Sequence, residues 1–213
     1  ITVPFPWESK LSGIGDKDHR GVAWYIREIT LPDGEGWKGK DAWLIVGACD
    51  WEAKVWVNGK PAGEHVGGYL PFEVNLSQFG KPGEKVTVVV RAKDVTDDQQ
   101  PTGKQIGWYT RTSGIWQTVY LEPRSQTWIS TFRATADIKS GSVKYIVMAA
   151  SEGGRTCRFT SPESAFDPVE ADVSVPSLSA QQQRGPLFSL CRATLVVKEP
   201  KLWSPESPKL YPV

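Results

Sequence analysis

Along most of this chain hydrophobic and polar residues alternate singly, the period of a strand with one face buried. Val22 to Ile29 has this pattern and is closed by a turn at Pro32-Asp33-Gly34. Trp43 to Ala48 is instead a short continuous apolar run, suited to a strand covered on both faces. Ala53 to Val57 alternates into Asn58-Gly59, a pair that tolerates positive φ at both positions of a hairpin turn. Gly67-Gly68 permits a sharp bend, Val86 to Ala92 is rich in β-branched residues, and Ile115 to Leu121 alternates again. Gly114 before that last strand marks a tight turn or a close backbone approach. Helical periodicity is confined to a single turn at Asn75 to Phe79. Short strands at regular spacing with turn signals between them predict an all-β fold built of sandwiches.

The pattern changes at Pro123. From Trp128 to Val197 aromatics thin out, Ala, Ser and Val increase, and about four to six alternating strands follow, among them Val143 to Ala149, Val169 to Val175 and Leu187 to Val197. The size and pattern suit an immunoglobulin-like sandwich, without the hallmarks of antibody domains. The expected division is a first domain over 1–124 and a second over 125–213.

Composition narrows the function classes. In 213 residues, Lys+Arg 25 against Asp+Glu 24 leaves a net charge of +1, so no basic field invites nucleic acid. The apolar runs are strand-sized, and none is long enough for a membrane-spanning helix. The opening Ile1-Thr2-Val3-Pro4 has neither an initiator Met nor the regions of a signal peptide. It reads as the interior of a longer polypeptide, which leaves the compartment, cytoplasmic or exported, open. Cys49, Cys157 and Cys191 lack the spacing of a disulfide framework or a metal site. Their apolar or alternating contexts suit buried thiols, with a Cys157–Cys191 bridge as the alternative for an exported chain.

Candidate binding chemistry gathers in one region. Lys93 to Gly107 is a long polar stretch rich in carboxylates, amides and Lys, groups that suit dense hydroxyls. It leads into Trp108, Tyr109 and Arg111, held at the mouth of a strand, as binding surfaces on β folds usually are. Trp108 and Tyr109 are the candidates for stacking on a sugar ring. Arg111 either pins a sugar hydroxyl or braces the loop. Trp7, Trp24, Trp43, Trp51, Trp56 and Trp116 are expected in the core. Asp97-Asp98 reads as a solvated turn. His19 and His65 are too few and too far apart for a metal site or a triad, and no cofactor is expected.

Several pieces resemble glycoside hydrolase family 2, the β-galactosidase and β-glucuronidase family. They are Val3-Pro4-Phe5-Pro6-Trp7-Glu8, Ala23-Trp24-Tyr25-Ile26-Arg27, Val55-Trp56-Val57-Asn58-Gly59-Lys60, Gly67-Gly68-Tyr69-Leu70-Pro71-Phe72-Glu73, Ser113-Gly114-Ile115-Trp116-Gln117-Thr118-Val119-Tyr120-Leu121-Glu122 and Leu202-Trp203-Ser204-Pro205-Glu206, in family order. The resemblance implies a jelly-roll-like sugar-binding domain, then an immunoglobulin-like domain, with a catalytic (β/α)8 barrel of the same polypeptide beyond Val213. In the family both catalytic carboxyls come from the barrel, one in an Asn-Glu pair, and no Asn-Glu occurs here. No catalytic residue is therefore assigned within the chain. Asp94 resembles the family's sandwich-domain Asp that reaches the barrel's active site and binds sugar hydroxyls. The alternative is an acid that caps its own loop. The expected partners are a carbohydrate substrate, the barrel and a second copy of the chain at an oligomer interface. Two other classes compete with this reading: a stand-alone lectin-like sandwich and a purely structural module.

Overall fold

The computed structural model describes residues 1–94, 109–150, 156–172 and 188–213. The chain divides into two compact units, Ile1–Ser125 and Gln126–Val213. The expected strand over Val169 to Val175 runs partly, and the stretch Val95 to Gly107 wholly, outside the described residues.

The first unit is a sandwich of antiparallel sheets. Strands β1 (Gly21–Thr30), β7 (Lys85–Asp94), β4 (Glu52–Val57) and β5 (Lys60–Val66) form one sheet in the order β1-β7-β4-β5. Strands β6 (Phe72–Asn75), β2 (Asp41–Val46) and β9 (Val119–Arg124) form the facing sheet in the order β6-β2-β9. A short pair, β3 (Cys49–Asp50) and β8 (Gly114–Ile115), stands apart from both. As the apolar run predicts, β2 is the central strand of its sheet, with Leu44, Ile45 and Val46 buried. Asn58 and Gly59 turn β4 into β5 at φ 50° and 75°. The Asn58 side chain also fastens the turn, donating to the Phe79 carbonyl and accepting from the Thr87 N–H. The expected helical turn is a 3-10 turn over Leu76–Gln78, capped by the Asn75 side chain.

Two expectations need correction. Ile115 to Leu121 is not one strand: the chain leaves β8 at Ile115 and enters β9 at Val119. The partner strand breaks at the same level, between β2 and β3. Gly47 lies there, its N–H bonded to the Thr118 carbonyl, and a Cβ on it would collide with Gln117. Both chains therefore turn the corner together, and alternation alone carries no record of it. Of the tryptophans expected in the core, only Trp7 is buried; Trp24 is 57% exposed on the outer face of β1. Its parity explains this, because Ala23, Tyr25 and Ile29 face inward and Trp24 and Ile26 face out.

The second unit has a three-stranded sheet, β10 (Trp128–Asp137), β11 (Ser142–Ala150) and β14 (Phe188–Val196), in that order, and a pair, β12 (Thr156–Phe159) with β13 (Val169–Asp172). Val147, Phe159, Phe166, Cys191 and Leu195 make its core, as an immunoglobulin-like sandwich requires. All three cysteines are free thiols. Cys191 donates to the carbonyl of Ala171, the residue opposite Cys157, and burial and then the Cys157 thiol push Cys191 up to about 11.

The last strand of the first unit fixes where that unit can be cut. Arg124 pairs with Asp41 across β9 and β2, bonds Glu73 at 2.7 Å and Glu122 at 2.6 Å, and lies over the Trp43 ring at 4.9 Å. A fragment ending at Ser125 should unfold cooperatively in urea. One ending at Glu122 should be about 2 kcal/mol less stable, the scale of a cation–π contact plus a largely sheltered ion-pair network. Equal midpoints for the two fragments would show that Arg124 does not hold the strand.

Candidate functional site

The inward face of β7 runs Val86, Val88, Val90, Ala92 and then Asp94, so strand parity places a carboxylate where the next core residue would be. Asp94 is 4% exposed. It is the last residue of the strand and not a loop residue, which corrects the sequence-based expectation. The alternative, a cap on its own loop, turns on residues outside the described ones. One oxygen accepts from the Ser113 hydroxyl at 2.5 Å and the other from Arg111 Nη2 at 3.1 Å. Ser113 is fully buried, and its N–H donates to Glu8, itself 2% exposed. The N-terminal segment, the end of β7 and the residues entering β8 are thus tied by one polar network, Glu8–Ser113–Asp94–Arg111. Such a network is stable only when its members find partners, and most of these bonds are charge-assisted.

Gly114 follows, at φ 72°, with Trp7 and the Tyr25 hydroxyl packed against its α-carbon. The Ile115 N–H donates to that hydroxyl, and burial pushes Tyr25 up to about 12. Trp7 also meets His19 edge to face at 5.3 Å. His65 stacks on Phe72 and bonds the Gly67 carbonyl, so it holds the glycine bend.

A further carboxylate, Asp50, comes from β3, opposite Gly114. Only a half-buried residue, it faces the Gly68 α-carbon so closely that a side chain there would collide with it. Burial and then the charge of Asp94 push its carboxyl up to about 6; Arg111 opposes this and Glu8 adds to it. A carboxyl whose pKa is raised by folding makes the folded state hold the proton more tightly than the unfolded chain. Its stabilising contribution is complete below the ordinary value of 3.8 and is lost as pH rises through about 6. Asp50→Asn should abolish that loss. Because the group is partly solvated, the variant should gain about 1 kcal/mol over wild type between acid and neutral pH, less than the full shift would give. Urea midpoints followed across this range test it, and parallel pH profiles for the two proteins would refute it.

Of the residues expected at the site, Asp94 and Arg111 are in direct contact, and Tyr109 stands two residues before Arg111 with 57% of its surface exposed. Trp108 lies outside the described residues. Glu8, Asp50 and Ser113 were not picked out from sequence. The parity of β7 would have placed Asp94 inward, but no local signal announces that Glu8 reaches a residue more than a hundred positions away.

The arrangement suits binding more than bond cleavage. Glycoside hydrolysis needs two carboxyl groups facing the scissile bond across a cleft. Here Glu8 and Asp94 are buried and bonded to Ser113, and Asp50 alone of the three reaches solvent. Among the described residues, no group of His, Cys, Asp and Glu is arranged to hold a metal ion. A groove of about 770 Å³ in the second unit is lined by apolar residues such as Trp128, Ile129 and Phe132, together with Thr156, Arg158 and Thr160.

Comparison with known proteins gives two family matches. The family model described as "Glycosyl hydrolases family 2, sugar binding domain" matches residues 5–124, and that described as "Glycosyl hydrolases family 2" matches residues 126–213. A beta-glucuronidase of Paenibacillus borealis is 26% identical over 234 residues, covering 99% of this chain and 36% of that protein. A beta-galactosidase of Thermoanaerobacter pseudethanolicus is 30% identical over 142 residues, covering 66% of this chain and 19% of that protein. Among solved structures, a beta-glucuronidase from Ruminococcus gnavus matches with a TM-score of 0.69 at 22% identity, over 99% of this chain and 36% of its own. A beta-glucuronidase from Bacteroides uniformis matches with a TM-score of 0.68 at 22% identity, over 99% of this chain and 26% of its own. At such identity the structural likeness is one of fold.

Proposed function

Because the chain belongs to glycosyl hydrolase family 2, we propose that it is the non-catalytic part of a hydrolase of O-glycosyl bonds in β-linked carbohydrates. Its role is to support and wall the active site of a (β/α)8 barrel in the same polypeptide. The observation that carries this reading is one of extent: almost the whole chain is matched, yet it spans only 36% of the Paenibacillus beta-glucuronidase. The locked state of Glu8 and Asp94 supports it, since neither carboxylate is available as acid or nucleophile. In this role Asp94 and Arg111 hold the rim and Tyr109 faces the sugar. A surface joining two copies of the polypeptide belongs to the same proposal.

The test is direct. The isolated chain, freed of host glycosidase, should show no turnover of nitrophenyl β-galactoside, β-glucuronide, β-mannoside or β-glucoside above background. Measurable turnover that persists through purification would defeat the non-catalytic reading.

A further inference from the structure

Around Gly68 the chain assembles groups that the buried network does not use. The Asp50 carboxylate lies against the Gly68 α-carbon, and Trp116 Nε1 donates to the Gly68 carbonyl at 2.8 Å. Tyr69, the next residue, meets the Trp116 ring edge-on at 6.0 Å and is 63% exposed. One backbone position therefore joins a carboxylate that reaches solvent to an exposed aromatic ring braced by a second. Carboxylates accept from hydroxyl groups, and aromatic faces cover the apolar face of a pyranose. A Cβ on Gly68 would lie 2.6 Å from Asp50 Oδ1, so a side chain here would push the carboxylate aside.

The charge around this position selects among sugars. Asp50 is surrounded by Asp94 and Glu8, and among the described residues Arg111 is the cation that opposes them. Burial is the first cause that makes a negative charge unfavourable at Asp50, and the neighbouring carboxylates of Asp94 and Glu8 add to it. A uronate carboxylate brought beside it would meet the same repulsion.

We infer that Asp50, Tyr69 and Trp116 form a subsite for a neutral pyranose and discriminate against a uronic acid. This rests on the proposed sugar-facing role of the first unit and narrows it to a ligand class and to a carboxylate other than Asp94. Asp94 becomes a positioning residue, which holds Arg111 and Ser113 beside the subsite without touching the sugar.

Nuclear magnetic resonance of the intact chain tests this, with methyl β-D-glucopyranoside, methyl β-D-galactopyranoside and methyl β-D-glucopyranosiduronate as probes. At neutral pH and low salt, at least one neutral glycoside should move the Asp50 carboxyl-carbon and Tyr69 ring resonances, with a dissociation constant on the order of 10 mM. The uronate should bind about threefold or more weakly, and added salt should narrow that gap. Asp50→Asn and Tyr69→Ala should each weaken the neutral glycoside about fivefold or more while the urea midpoint stays at or above that of wild type for Asp50→Asn. A uronate bound as tightly as the neutral sugars overturns the inference. So does an absence of any shift at Asp50 and Tyr69 with probe near 0.1 M, a concentration that would fill a site of that affinity. Shifts confined to other residues would remove this subsite and leave the sugar-facing role standing. Turnover of aryl glycosides by the chain would instead remove the broader reading, whatever these resonances do.

Discussion

Asp94→Ala should destabilise the first unit by about 3 kcal/mol or more, the range found when one member of a buried charged pair is removed. The carboxylate is 4% exposed, and the substitution deletes the acceptor of both the Ser113 hydroxyl and Arg111 Nη2. Ser113 is fully buried, so water cannot readily replace the lost partner, and its hydroxyl bears a desolvation cost of about 1–3 kcal/mol. The Arg111 guanidinium is only 13% exposed and would lose the carboxylate it now meets at 3.1 Å. Asp94→Asn keeps the volume and one acceptor oxygen and should cost less, about 1–2 kcal/mol. Equilibrium unfolding in urea, followed by tryptophan fluorescence, distinguishes the two. If Asp94→Ala changes stability by under about 1 kcal/mol, the network does not hold this end of the sandwich in the way described.

Gly114→Ala should be as damaging, for a different reason. At φ 72° an L-residue is strained by about 1–2 kcal/mol before any contact is counted. The added methyl would then meet the Tyr25 hydroxyl and the Trp7 ring. Neither can give way cheaply. Tyr25 holds the Ile115 N–H at 3.2 Å, and Trp7 is 3% exposed inside the core. Overpacking of this kind costs about 1–3 kcal/mol, so the sum is about 2–5 kcal/mol. Tryptophan emission should shift as well, because Trp7 has to move if the unit is to fold. A normal urea midpoint with unchanged emission would show that the space beside Gly114 is not as closed as its neighbours make it.

The sequence was informative where a local rule and the tertiary demand agree. The apolar run around Leu44 marks a strand covered on both sides, and Asn58-Gly59 marks a two-residue hairpin turn, because each needs only its own neighbours to be understood. It was silent where the deciding partner is distant. The break between Ile115 and Val119 depends on Gly47 turning the partner chain at the same level. Trp24 has the hydrophobicity of a core residue, but its parity on β1 turns it outward. At the site, Arg111 was legible as a residue with something to hold, although what it holds is a carboxylate of the same unit. Asp50 gave no signal, because its character comes from Asp94 and Glu8, which fold places beside it and sequence does not.

One consequence follows from the inward face of β7 ending in a carboxylate. The apolar interior and the polar rim are successive rungs of one ladder, from Val90 through Ala92 to Asp94. In a saturation mutational scan, Glu8, Ser113 and Asp94 would therefore be depleted whether the selection was for activity or merely for soluble protein. Asp50 and Tyr69, which reach solvent at the same rim, would be depleted under the first selection and spared under the second. The contrast between the two depletion maps would separate residues that hold this rim together from residues exposed on it.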